Sequence, residues 1–166
     1  MKIKISNLAN GTYDYLFEGN IDEIKITEPY CGKYKTEVVL TKFDNQMILD
    51  AETSIEANLV CDRCAIAFKK EISSRYRMVY LFESEIPDSE KDKTEVNYLH
   101  PDSEKIDISE DVKDYALLAV PMKKLCREDC KGLCYHCGKN LNEGECNYVV
   151  EKIDPRWEPL LKLKNK

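Results

Sequence analysis

The sequence has no run of about 18 apolar residues, so it predicts no membrane-spanning helix. Its opening residues, MKIKISNLANG, alternate Lys and Ile and lack the apolar block of a signal peptide. The resulting expectation is a cytoplasmic protein. Histidine is scarce: His100 and His136 are the whole supply. With so few, and with no H-E-x-x-H, a catalytic zinc has little to be built from. The P-loop, G-x-G-x-x-G and G-x-S-x-G patterns are missing too, which removes common signatures of phosphate, dinucleotide and acyl chemistry. No catalytic residue is assigned, and a non-enzyme is expected.

Cysteine, by contrast, is abundant. Eight are present: Cys31, Cys61, Cys64, Cys126, Cys130, Cys134, Cys137 and Cys146. In a reducing compartment clustered cysteines more often hold metal or do redox work than form disulfides. Cys31 stands alone and reads as a small hydrophobe or surface thiol. The other seven fall into groups. CDRC at 61–64 sits at the tip of a hairpin, where a Cys-x2-Cys turn aims two thiolates at one ion and so supplies half a tetrahedral zinc site. Cys126 and Cys130 form a Cys-x3-Cys pair. LCYHCG at 133–138 is a second Cys-x2-Cys, followed by a glycine suited to a tight knuckle. Seven thiols fit one complete site, Cys61, Cys64, Cys126 and Cys130, which would staple the tail to the sheet. They leave one three-cysteine site, Cys134, Cys137 and Cys146. Water, an acidic side chain or His100 could complete the latter, or it holds no ion; His136, between two of its cysteines, is badly placed to complete it. A rival pairing puts Cys126, Cys130, Cys134 and Cys137 on one ion. Four-thiolate sites are structural as a rule, since no coordination position stays open.

Periodicity places these groups in an α+β frame. Leu49, Ala51, Thr53, Ile55, Ala57, Leu59 and Cys61 alternate with polar residues, and Ile66, Phe68, Ile72, Tyr76, Met78, Tyr80 and Phe82 repeat the pattern. With Tyr34–Leu40 and the turn FDNQ they predict antiparallel strands at 33–43, 46–61 and 65–82, with one or two more at 2–6 and 12–18. The expected sheet is an antiparallel, barrel-like meander. Val112, Tyr115, Ala116 and Ala119 follow helical spacing and predict one helix over 109–120. Ser109 or Asp107 would cap it and Pro121 stop it. The expected domains are 1–121, with an acidic loop at 83–107, and a cysteine-rich zinc-knuckle tail, 122–166, docked on the sheet.

Charge is uneven. Residues 83–114 carry 4 Lys/Arg against 12 Asp/Glu, whereas residues 115–166 carry 10 against 7. The candidate phosphate-facing residues are therefore Arg63 at the hairpin tip and Lys123, Lys124, Arg127, Lys131, Lys139, Lys152 and Arg156 in the tail. Two other readings compete: a thiol redox protein, and a zinc-ribbon module that binds DNA or a protein partner.

The stretches NLVCDRCAIAF, DVKDYALLAVPMKKLCREDCKGLCYHCGKNLNEGEC and IDPRWEPLLKLK resemble the YceD family of large ribosomal RNA subunit accumulation proteins. CDRC alone would be a weak signal, but CKGLCxxCGxNLN ahead of DPRW is specific. The resemblance implies a non-enzymatic factor supporting large-subunit (23S) rRNA accumulation or processing and ribosome assembly. Its expected partners are that rRNA, a pre-ribosomal particle or a ribosomal protein, and no membrane. Some members of the family keep the first cysteine pair without the second knuckle, which favours Cys126 and Cys130 as partners of Cys61 and Cys64. Many end the knuckle with Cys-x-Cys, so the expected fourth ligand of the second site falls at Tyr148, where this chain departs.

Overall fold

The computed structural model describes residues 1–83 and 96–146. It resolves into two units, Met1–Leu59 with Ala67–Lys124, and Val60–Ile66 with Leu125–Lys166. The hairpin tip that carries CDRC therefore groups with the cysteine-rich segment.

The first unit is built on a five-stranded sheet in the order β2 (Gly11–Asn20), β3 (Tyr30–Phe43), β4 (Gln46–Val60), β5 (Ala67–Phe82) and β6 (Val96–Leu99). β2, β3 and β4 are antiparallel neighbours, with Val38 opposite Ala51 and Leu40 opposite Leu49. Side chains 50 and 77, 52 and 75, and 54 and 73 meet across β4 and β5. The constant sum of those numbers is the register of an antiparallel hairpin. β6 instead runs parallel to β5, so the sheet is mixed rather than the wholly antiparallel meander expected. Among the described residues β2 and β6 end the strand order, and the expected barrel-like closure is not seen. A separate pair, β1 (Lys2–Lys4) with β7 (Lys105–Asp107), sets Ile3 opposite Ile106, both buried. β6 and β7 fall inside the expected acidic loop, whose most acidic part lies outside the described residues. Apolar Leu99 and Ile106 supply what a solvated loop lacks.

Alternation decides which face is dry. The odd positions of β4 from Met47 to Leu59 are all buried, as are Ile72, Ser74, Tyr76, Met78 and Tyr80 on β5. Ile66 breaks the pattern: it lies in the turn and is exposed. Thr36 and Thr53 are buried in the middle of this face, and their hydroxyls hydrogen-bond each other at 2.9 Å, so neither is left unpaired. The opposite, wet face carries cross-strand ion pairs such as Arg77–Asp50 and Arg75–Glu52. Helix α1 (Ser109–Leu118) turns Val112 and Ala116 into the core, and Tyr115 stacks on Tyr76 with ring centroids 4.5 Å apart. The Tyr30 hydroxyl donates to the Ala116 carbonyl near the helix end. At the other end the Asp107 carboxylate accepts from the Ser109 amide, satisfying one of the helix's orphan donors. No helix among the described residues is long and apolar enough to cross a membrane.

Packing of this density makes large-to-small changes costly. Leu49→Ala, at a fully buried site, should lose about 2–5 kcal/mol in denaturant unfolding. Leu118→Ala, at a position 78% exposed, should stay within about 0.5 kcal/mol of the parent.

Candidate metal centres

The two Cys-x2-Cys turns fold the same way. The Ala65 amide donates to the Cys61 carbonyl at 2.9 Å, and the Gly138 amide donates to the Cys134 carbonyl at 2.8 Å. One residue further on each turn closes again: the Cys61 amide donates to the Ile66 carbonyl and the Cys134 amide to the Lys139 carbonyl. Such a turn needs left-handed backbone after its second cysteine. Gly138 provides it at φ 71°, whereas Ala65 adopts φ 56° with a side chain. Both turns leave two sulfurs pointing the same way.

Cys61, Cys64, Cys126 and Cys130 come together, with all four sulfurs within 4.8 Å of one another. Cys61 and Cys130 are 3.8 Å apart, and Cys64 and Cys126 are 3.6 Å apart. A tetrahedral zinc with Zn–S bonds of about 2.3 Å spaces its sulfurs about 3.8 Å apart, so the donor set and its size fit that ion. Three of the four cysteines are buried. Burial opposes ionisation of Cys61, but backbone groups of Cys126, Cys64 and Arg63 outweigh it and hold the thiol at about 6. Burial and neighbouring thiols push Cys126 up to about 12. Four thiols cannot all ionise so close together without a cation among them.

Cys134, Cys137 and Cys146 form a second cluster, again within 4.8 Å. Cys146 lies 3.3 Å from each of the other two sulfurs. Backbone groups of Cys137 and His136 lower the Cys134 thiol to about 7. The rival grouping of Cys126 and Cys130 with Cys134 and Cys137 is not the one found. Tyr148 lies outside the described residues. Cys31 stays apart, its thiol facing the Glu56 carboxylate at 3.6 Å.

Three residues that the spacing of cysteines did not reveal hold the second unit together. Arg63 donates from one guanidinium nitrogen to the Glu128 carbonyl at 3.1 Å and the Cys130 carbonyl at 2.8 Å. Its own carbonyl accepts the Leu133 amide at 3.0 Å. Gly132 sits against that carbonyl, and a Cβ there would come within 3.0 Å of it, at a φ of 78°. Asn142 accepts from the Lys131 amide and the Arg127 guanidinium, and its Nδ2 lies 3.3 Å from the Cys130 sulfur. An N–H directed at a ligand sulfur is the kind of outer contact that tunes a metal site. Asn142 was marked in the sequence only by its place in the turn-forming run GKNLNEGEC, and Gly132 by being a glycine between two cysteines.

The basic residues divide. Arg63, Arg127 and Lys139 make internal hydrogen bonds, the last to the Glu145 carbonyl at 3.0 Å. Lys123 and Lys131 are exposed and Lys124 is half-buried. Arg156 and Lys152 lie outside the described residues. Within residues 125–146, three Lys/Arg stand against four Asp/Glu. The basic excess of the tail therefore comes from Lys123, Lys124 and residues 147–166, which carry five Lys/Arg against three Asp/Glu.

A family model described as large ribosomal RNA subunit accumulation protein YceD matches residues 49–164. Uncharacterised proteins of Mycobacterium tuberculosis and Mycobacterium bovis are each 29% identical over 103 residues, 62% of this chain and 48% of the relative. The chain thus spans about half the length of these curated relatives. The chloroplastic YCED homolog 1 of Arabidopsis thaliana, named as a large ribosomal RNA subunit accumulation protein, is 36% identical over 64 residues, 39% of this chain and 20% of that protein. No solved structure matches.

Gly132→Ala should destabilise metal-loaded protein by about 1–3 kcal/mol, since it meets both a left-handed φ and the Arg63 backbone. Chelator-free thermal unfolding measures it. Asn142→Leu should weaken metal bound at the Cys61–Cys64–Cys126–Cys130 cluster by about 10–100-fold in competition with a chelator. Unchanged affinity would remove Asn142 from the environment of that site.

Proposed function

The chain belongs to the YceD family, and on that premise we propose that it is a non-enzymatic cytoplasmic factor supporting large-subunit (23S) rRNA accumulation and ribosome assembly, with structural zinc. The observation that carries the structural role is the four-sulfur cluster. It draws ligands from two segments more than 60 residues apart and offers no open coordination position. Zinc suits it because the ion has no redox chemistry and no preference against a tetrahedron of thiolates. Residues Cys61, Cys64, Cys126 and Cys130 hold the first ion, and Cys134, Cys137 and Cys146 are the protein ligands of a second. A thiol redox role is the weaker reading. Redox pairs are two thiols that pair with each other, whereas Cys61 and Cys64 lie in a hairpin turn facing two further cysteines, and all four sulfurs gather about one point. A zinc-ribbon module for DNA or another protein differs from the favoured reading in its partner alone.

The proposed partner is rRNA or a pre-ribosomal particle. Charge supports Lys123, Lys124 and Lys131 as its contacts, with Arg156 and its neighbours in the tail. Arg63, Arg127 and Lys139 contribute their charge while shaping the unit. The near-neutral cysteine-rich segment and the overall charge of −6 support few phosphate contacts. A ribosomal protein, drawn to the acidic segment between residues 83 and 114, is the alternative partner.

Cells expressing the tagged protein should yield ultraviolet cross-links to large-subunit rRNA. Affinity for that RNA should fall with salt at a slope on the order of −2 to −4 in log–log form, as expected for about three to five phosphate contacts. Lys123→Glu with Lys131→Glu should weaken binding while zinc content stays constant. Binding that ignores both salt and charge reversal points to the protein partner.

A further inference from the structure

The two sulfur clusters share a stretch of chain. Cys130, of the first, and Cys134, of the second, stand four residues apart, and the backbone between them is held from both sides. The Leu133 amide donates to the Arg63 carbonyl at the first knuckle, and the Gly132 carbonyl accepts the Leu141 amide at 2.9 Å. Leu141 belongs to the spacer, residues 138–145, that separates Cys137 from Cys146.

The same spacer carries Asn142, and both polar atoms of its side chain are engaged. Oδ1 accepts from the Lys131 amide at 2.9 Å and from the Arg127 guanidinium at 2.7 Å, so one oxygen bridges the start of the Cys126–Cys130 loop and the residue just past it. Nδ2 donates to Asn140 Oδ1 at 2.8 Å within the spacer and lies 3.3 Å from the Cys130 sulfur. An N–H aimed at a ligand sulfur steadies the thiolate that a metal needs. The side chain that finishes the first cluster is thus mounted between two sulfurs of the second.

What holds the spacer decides where Asn142 stands. Asn140 and Leu133 form a single bridge, the Glu143 amide returns to the Asn140 carbonyl at 3.1 Å, and Lys139 reaches the Glu145 carbonyl at 3.0 Å. Lys139, Glu143 and Glu145 are exposed, so water competes for these bonds. An ion gripped by Cys137 and Cys146 would clamp the spacer at both ends and close it into a ring, which removes conformational freedom before Asn142 is placed. A segment that one ion has ordered costs less to order for the other.

Resting on the metal reading above, we propose that the two clusters bind their ions with positive coupling: an ion at Cys134, Cys137 and Cys146 tightens the hold of Cys61, Cys64, Cys126 and Cys130 on theirs, and Asn142 carries the effect. The second cluster then serves as a positioning element for the first. Linkage makes the coupling reciprocal, so the first ion tightens the second by the same factor. It holds whatever group completes the second ion's shell, because the clamp needs only Cys137 and Cys146.

The experiment uses the full chain, freed of metal under reducing conditions and reloaded with cobalt(II), whose absorption bands distinguish four sulfur ligands from three. Competition with a chelator gives the affinity of the four-sulfur ion. Cys137→Ser removes an exposed sulfur from the second cluster and should weaken that ion by about 5–100-fold. In an Asn142→Leu background the same substitution should weaken it by less than about twofold more. Exchange of the Lys131 amide hydrogen, read by NMR, should quicken in Cys137→Ser, since its acceptor sits on the freed spacer. An unchanged four-sulfur affinity in Cys137→Ser overturns the coupling and leaves both metal sites standing. Unchanged Lys131 exchange, or an equal loss of affinity with and without Asn142, overturns Asn142 as its carrier. One bound cobalt in the parent protein overturns the second site and the coupling with it. No cobalt at all overturns the metal reading of both clusters.

Discussion

The second unit depends on a backbone contact rather than on a metal alone. Arg63 and the Cys130–Leu133 stretch are far apart in sequence, yet they bind each other twice: the Leu133 amide meets the Arg63 carbonyl, and the Arg63 guanidinium meets the Cys130 carbonyl. These bonds fix where the second pair of sulfurs stands relative to the first. Among the described residues of the unit the larger apolar side chains are largely uncovered: Val60, Ile66, Leu133 and Tyr135 are all exposed. The described part of the unit gains little from burial to offset the entropy of ordering its chain, and an ion bound there would contribute folding free energy directly. Hydrogen bonds set the geometry, and an ion held by the clustered sulfurs would supply the stability.

This division explains why the hairpin between β4 and β5 is long. The same chain serves two environments. Up to Leu59 its odd residues fill the hydrophobic core, and from Cys61 onward the cysteines at the tip join a four-sulfur cluster. The strand pairing that the sheet requires carries the first knuckle with it. The two knuckles repeat one backbone solution, with Ala65 and Gly138 at equivalent places. Ala65 accepts a less favourable backbone angle there, which the paired strands on either side impose.

Much of this was legible from the residues. Apart from Ile66, the alternation on β4 and β5 named the buried faces because those strands are half-wet, and a period of two is then forced. The helix was read from Val112, Tyr115 and Ala116, and it ends two residues early because Ala119 and Val120 belong to the turn and bend that follow, just ahead of Pro121. β6 was not legible: four residues give too short a pattern, and a parallel neighbour leaves no hairpin signal. Cysteine spacing picked out the sulfurs that cluster because Cys-x2-Cys is a local geometry. The supporting residues were hidden because their contacts are not local. Arg63 read as a surface cation, yet it satisfies carbonyls more than 60 residues away. A count of charges could not distinguish a guanidinium that meets phosphate from one that meets the chain's own backbone.

The distance between ligands also has a consequence during synthesis. Cys64 is made 62 residues before Cys126. At roughly 5–20 residues per second, the hairpin tip waits on the order of several seconds for its partners. Through that interval two thiols sit in an unfinished knuckle, with Arg63 lacking the carbonyls it will later bind. The sheet from β2 to β5 is already available to fold, but the metal unit is not. A nascent chain of this protein therefore carries half of the four-sulfur cluster out of the ribosome, open to oxidants and to stray metals until Cys126 and Cys130 arrive.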